Sequence, residues 1–143
     1  MDFRVDLEGR VAVVTGATGG IGRAVALQLA SSGADVAVTD MHQRVEPLCE
    51  LAAEISQLGR KSIATTADVT DRTDIDHLIG DVLNAFGAVD LLINVAGVYF
   101  TDPVRDYSEA AWDKTMAVNL KGPFLTCQAF SKVMCEQRQG NII

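Results

Sequence analysis

A chain of 143 residues is the size of one domain, and 48% hydrophobic content with three prolines excludes a disordered chain. Twelve basic against nineteen acidic residues give a net charge of −7, which disfavours a nucleic-acid or anionic-membrane partner. No apolar run approaches the roughly 20 residues of a membrane span, and the start, Met1-Asp2-Phe3-Arg4-Val5-Asp6, is too charged for the apolar stretch of a signal peptide.

Strand and helix signals alternate along the chain. Strands are expected at about residues 10–15, 35–40, 61–67 and 89–95, each rich in Val, Ile or Ala and apolar on both faces, as a helix-covered parallel sheet requires. The first helix is expected over about 20–32, ending at Gly33, and the second over about 43–58, ending at Gly59. In the third, Ile75, Leu78, Ile79, Val82 and Phe86 mark one helical face; Asp71 or Thr70 caps its start and Gly87 ends it. A fourth helix starts at the N-cap Ser108 and runs to about Arg138. Gly140-Asn141-Ile142-Ile143 then reads as the opening of a fifth strand. Strands joined by helices imply right-handed crossovers and an α/β, doubly wound parallel sheet. Residues 1–143 form a single structural unit, expected to be a truncated part of a larger domain, because a strand cut short leaves apolar faces uncovered.

The most informative stretch is Thr15-Gly16-Ala17-Thr18-Gly19-Gly20-Ile21-Gly22, between the strand Val11-Ala12-Val13-Val14 and the first helix. A glycine turn there presents unpaired N–H groups and the positive end of a helix dipole to phosphate. Gly16, Gly19, Gly20 and Gly22 keep the turn tight and let a pyrophosphate approach the backbone, with Thr18 and Ile21 on the same loop. Asp40 ends the second strand, 18 residues beyond Gly22, where a carboxylate meets the ribose hydroxyls of adenosine. The alternative is a solvated Asp that caps the next helix. A carboxylate repels a 2′-phosphate, Met41 supplies no cation and Arg44 is distant in sequence, so NAD is favoured over NADP. Cys49, Cys127 and Cys135 read as reduced thiols of a cytoplasmic protein, the latter two as small packing residues on one helix. His42 and His77 lack ligand neighbours at helical spacing, so no metal site is expected, and Trp112 reads as a packing residue.

Four motifs in order resemble the short-chain dehydrogenase/reductase family. Thr15 to Gly22 is similar to its TGxxxGxG loop. Asp68-Val69 resembles its adenine-contacting pair, Asn94-Val95-Ala96-Gly97 its NNAG motif with Val95 for the second Asn, and Val118-Asn119-Leu120-Lys121-Gly122 the segment holding the Asn of its catalytic tetrad. The resemblance covers essentially the whole chain. It implies a Rossmann-like sheet of order 3-2-1-4 with the start of strand 5, an alcohol or ketone substrate, and association into homo-oligomers through the fourth helix. Leu125, Phe130 and Met134 serve either that contact or the subunit's own core.

The resemblance also assigns roles. Asp68 would accept from the adenine amino group and Val69 N–H would read the ring edge; the alternative for Asp68 is a helix N-terminal Asp. Asn94 would bridge strand ends beneath the cofactor, and Ala96 and Gly97 are small where the chain passes a ribose. Asn119 would lend its main-chain carbonyl to a water leading to the catalytic lysine. Pro123, four residues on, has no N–H to occupy that carbonyl; the alternative is an ordinary proline kink. The family's Ser and Tyr-x-x-x-Lys have no counterpart here, since Pro103 lies four residues after Tyr99 and Ala111 four after Tyr107. Tyr99 and Phe100 read instead as residues of a substrate mouth or as exposed loop aromatics. The chain by itself is therefore expected to bind NAD weakly at best and to lack turnover. The second reading is a non-catalytic NAD-binding or interaction module, and Gly16, Gly19 and Gly22 also fit the GxxGxxG spacing of the extended branch of the family.

Overall fold

Five parallel strands alternate with helices: β1 (Val11–Thr15), β2 (Asp35–Asp40), β3 (Ser62–Thr66), β4 (Leu91–Asn94) and β5 (Asn141–Ile142). The computed structural model describes residues 5–143, and the charged start 1–4 lies outside the described residues. Strand order is β3-β2-β1-β4-β5, the Rossmann-like order expected. Succession runs outward from β1 to β3 and then returns past β1 to β4, so the carboxyl ends of β1 and β4 flank the switch point where such sheets open a crevice.

Period-two alternation sends successive side chains to opposite faces. Ala12, Val14, Val36 and Val38 pack on α1 (Gly20–Ser31) and α2 (Val45–Gln57) through Ala26, Ala30, Leu48, Leu51 and Ile55. Val11, Val13, Ala37 and Leu92 pack on α3 (Arg72–Phe86) through Leu78 and Val82, and on the last helix through Phe130 and Met134. Asp71 Oδ1 caps α3 by accepting from Thr73 N at 2.7 Å, and Gly87 ends it in the left-handed region at φ 79°.

The fourth helix departs from expectation. It is α4 (Glu109–Met116), capped by Ser108, then a π turn (Ala117–Lys121), then α5 (Gly122–Gln137). Pro123 lacks an N–H and its ring crowds the carbonyl four residues back. The chain widens ahead of it, with Gly122 N donating to Ala117 O. Leu125, Phe130 and Met134 are buried within the subunit, which settles their role. Trp112, at 58% exposure, is not a core residue: it shares an outward apolar stripe with Met116, Leu120 and Phe124. Cys135 is exposed rather than packed, because its position on α5 turns away from the sheet; Cys49 is exposed too and Cys127 half-buried. Among the described residues, no helix is long and apolar enough to cross a membrane.

At the amino ends of the strands, buried Asp90 joins three segments. Its Oδ2 accepts from Val11 N at 2.9 Å, and its Oδ1 accepts from Arg10 Nη1 at 3.0 Å and from Gln139 Nε2. These bonds fix the starts of β1 and β4 and the entry to β5. Asp90→Ala strands the Val11 amide, and a loss of about 2–3 kcal/mol is expected in urea unfolding.

Candidate functional site

The carboxyl ends of the strands open into a cavity of about 640 Å³, within the range of small-molecule sites. Gly16, Thr18, Gly19, Gly20, Ile21 and Gly22 of the loop line it together with Asp40, Asp68, Val69, Ala96 and Gly97. Asn94 and Asn119 sit behind the wall. Eleven of the residues expected at the site from sequence surround one space, although they come from four separate connections.

The loop glycines have different reasons to be glycine. Gly16 has φ 62°, and a Cβ on it would lie 2.7 Å from the Ala96 N and Cα. A Cβ on Gly22 would strike Gly16 O and, at 2.9 Å, Ala17 Cα. Both are demanded by the fold. Gly20 is not: its φ is ordinary and a Cβ there meets nothing within 4 Å. It opens α1 and lines the cavity, and its bare backbone leaves room there for something seated against the loop. The first turn of α1 also has no acidic residue and no side-chain cap among the described residues, whereas α3 and α4 are both capped by side chains. Its leading N–H groups and dipole are left for an anion. The residues fit the pyrophosphate of a dinucleotide.

Asp40 faces this loop. Its Oδ2 accepts from Thr18 N at 3.0 Å and Thr18 Oγ1 at 2.6 Å, and its Oδ1 accepts from Met41 N at 2.8 Å. It caps no helix. Beyond it, the short turn His42–Arg44 folds the chain back so that Met41, Gln43 and Arg44 line the cavity. Arg44 is therefore closer to the site than its place in the sequence indicates, a contact visible only once that turn is known. Lys114 of α4 also reaches the lining.

Asp68 Oδ1 accepts from Thr70 N at 2.8 Å and Thr70 Oγ1 at 2.7 Å, a local turn that leaves Oδ2 free for another donor. Asp68 N donates to Asp74 Oδ2 at 2.8 Å, and His42 Nε2 lies 2.7 Å from the same oxygen. The Asp68 amide, the largest influence, holds the Asp74 carboxyl below its ordinary range; burial opposes it, and the His42 contact adds to the lowering. His42 is thus a surface residue, as expected, with two partners, the other being Thr66 Oγ1 at 2.9 Å.

Asn94 bridges strand ends. Its Oδ1 accepts from Thr126 Oγ1 at 2.6 Å and its Nδ2 donates to Ile143 O at 3.2 Å. Thr15 Oγ1 accepts from Val95 N at 3.1 Å and Ala96 N at 3.2 Å, closing β1 onto the chain after β4. The Asn119 amide donates from Nδ2 to Val98 O at 2.7 Å and accepts at Oδ1 from Val98 N at 2.8 Å. Sequence reading pointed to its carbonyl and missed this side-chain clamp. A Cβ on Gly97 would lie 3.4 Å from Asn119 Oδ1, an ordinary contact, so the clamp itself does not demand a glycine there. Tyr99, 83% exposed, lines the cavity; Phe100 does not. Buried Thr39 Oγ1 has no partner among the described residues.

The chain belongs to the short chain dehydrogenase family, which matches over residues 10–143. It is 40% identical over 136 residues to the short-chain dehydrogenase/reductase eriH of Hericium erinaceus, covering 93% of this chain and 54% of that protein. It is 38% identical over 143 residues to D-threitol dehydrogenase of Mycolicibacterium smegmatis, covering 100% and 54%. A crystal structure of NAD+-bound xylitol dehydrogenase superposes with a TM-score of 0.89 at 34% identity, covering 95% of this chain and 52% of that one. The chain thus spans about half the length of the curated relatives it matches.

The folded-state pKa of Asp74 lies below its unfolded value of about 4. Its contribution to stability is therefore complete above that value and fades as pH falls through the lower, folded one. In urea unfolding across a pH series, the wild-type advantage over Asp74→Asn is expected to be constant near neutrality and to shrink below about pH 4.

Proposed function

We propose that this chain is the dinucleotide-binding part of an NAD-dependent oxidoreductase of the short-chain dehydrogenase/reductase type. Its reaction is hydride transfer between nicotinamide and an alcohol or ketone. Gly20 carries the reading: it is a glycine the fold does not require, at a helix start whose amides no side chain occupies. The first-turn amides of Gly20, Ile21 and Gly22 would hold the pyrophosphate, the Gly19 amide being donated to Gly16 O within the loop. Asp40 would take the adenosine ribose, and Asp68 Oδ2 with Val69 N–H the adenine. Ala96 and Gly97 would pass under the second ribose, with Asn94 bracing them from behind. NAD rather than NADP follows from Asp40, whose carboxylate opposes a 2′-phosphate although Arg44 lines the same cavity.

The cofactor supplies the hydride chemistry, and the chain binds and orients it. Asn119 clamps Val98 at the nicotinamide side, and we propose that its carbonyl, opposite Pro123, is open to an ordered water. A lysine lies four residues beyond neither Tyr99 nor Tyr107, so no acid/base residue is assigned here. The second reading is a non-catalytic NAD-binding or interaction module. The three unpaired thiols fit a reducing compartment, the cytoplasm. Trp112, Met116, Leu120 and Phe124 fit a contact with a second copy; Leu120→Asp is expected to convert a dimer to a monomer in sedimentation.

Calorimetric titration with NAD+ is expected to give weak, saturable binding. Gly20→Ala is expected to weaken it markedly with thermal unfolding nearly unchanged, because the added Cβ meets no protein atom within 4 Å. Equal binding by both proteins would remove the cradle. The relatives named for D-threitol and xylitol make polyols the first substrates to assay. No turnover is expected of the chain alone, and turnover would overturn the view that the family's Ser, Tyr and Lys are indispensable.

A further inference from the structure

We propose that Thr18 sets the choice between a free 2′-hydroxyl and a 2′-phosphate by holding Asp40 in one orientation, an inference that rests on the dinucleotide reading above. An ionised carboxylate has about four acceptor sites. On Asp40 three are taken: Thr18 N and Thr18 Oγ1 fill Oδ2, and Met41 N takes half of Oδ1. One lone pair of Oδ1 remains, on a carboxylate pinned from two sides and lining the cavity. A ribose hydroxyl has a proton to place there. A phosphate brings only acceptors and negative charge.

Thr18 strengthens the bias in a second way. A threonine hydroxyl has one proton, and here it is donated to Asp40 at 2.6 Å. The oxygen that Thr18 turns to its surroundings is therefore an acceptor, and the positions nearest Asp40 offer a phosphate no side-chain donor from this residue. Without the hydroxyl, Oδ2 regains a lone pair and only the Thr18 amide restrains it, so the carboxylate can swing from the ribose. Affinity for NAD+ then falls, while NADP+ meets a weaker obstacle. Thr18 is a positioning residue that acts through Asp40 on selectivity, which a purely structural role would leave unmoved.

The test is calorimetric titration of the chain with NAD+ and NADP+, comparing wild type, Thr18→Val and Thr18→Ser. The expected result is a preference for NAD+ in wild type that drops about tenfold in Thr18→Val, the worth of one charge-assisted hydrogen bond, and returns in Thr18→Ser. In urea unfolding, Thr18→Val and Asp40→Asn are expected to be non-additive. A preference unchanged in Thr18→Val, or equal weakening toward both nucleotides, overturns the proposal and leaves the dinucleotide reading intact. Binding of neither nucleotide by wild type overturns both.

Discussion

Nothing larger than a hydrogen fits between Gly16 and the backbone of Ala96. That contact joins the chain leaving β1 to the chain leaving β4, the two strands that part company at the switch point of the sheet. Thr15 Oγ1 reinforces it by accepting both the Val95 and Ala96 amides. With this seam closed, the glycine loop cannot drift over the strand ends, and Gly16, Thr18 and Gly19 to Gly22 line the crevice. Gly22 extends the constraint by letting the first turn of α1 lie on Gly16 and Ala17. The cavity is a consequence of two backbone approaches that no side chain could survive.

A second layer of polar bonds sets what surrounds the cradle. Asp40 ties β2 to the loop, Asp74 ties the Asp68 segment to His42, and Asn94 ties β4 to α5 and to Ile143. Each of these groups reaches a partner on a different element, so the cavity rim is held by cross-links rather than by the strands themselves. A rim built this way places donors and acceptors at fixed distances before any ligand arrives, and that preorganisation lowers the ordering cost of binding.

The sheet was legible in the sequence because its signals are local. Apolar runs such as Val11–Val14 and Val36–Val38, the cap Asp71 and the left-handed Gly33, Gly59 and Gly87 each follow from residues a few positions apart. The loop and Asp40 were legible because a motif records them together. What escaped reading depends on distant partners. Arg44 enters the lining only because the turn His42–Arg44 reverses the chain. Trp112 is exposed because α4 stands off the sheet, and amphipathic spacing alone does not distinguish a core stripe from an outward one. The π turn needs Pro123 in a helix that other contacts oblige to continue past it.

Asn119 shows how two such effects meet. Val98 has left β4 and has no neighbouring strand, so its N–H and C=O need partners from elsewhere. A primary amide is the side chain with one donor and one acceptor in the same plane, and Asn119 returns both bonds at 2.7 and 2.8 Å, as an adjacent strand would. Asp offers no donor and Ser too short a reach. The π turn widens the helix at this point and turns the short Asn side chain onto the Val98 peptide. The same segment, with Pro123 opposite, withdraws the ordinary helical donor from the Asn119 carbonyl. The side chain is thereby given a structural task, and the carbonyl loses the N–H that an unbroken α-helix would supply to it.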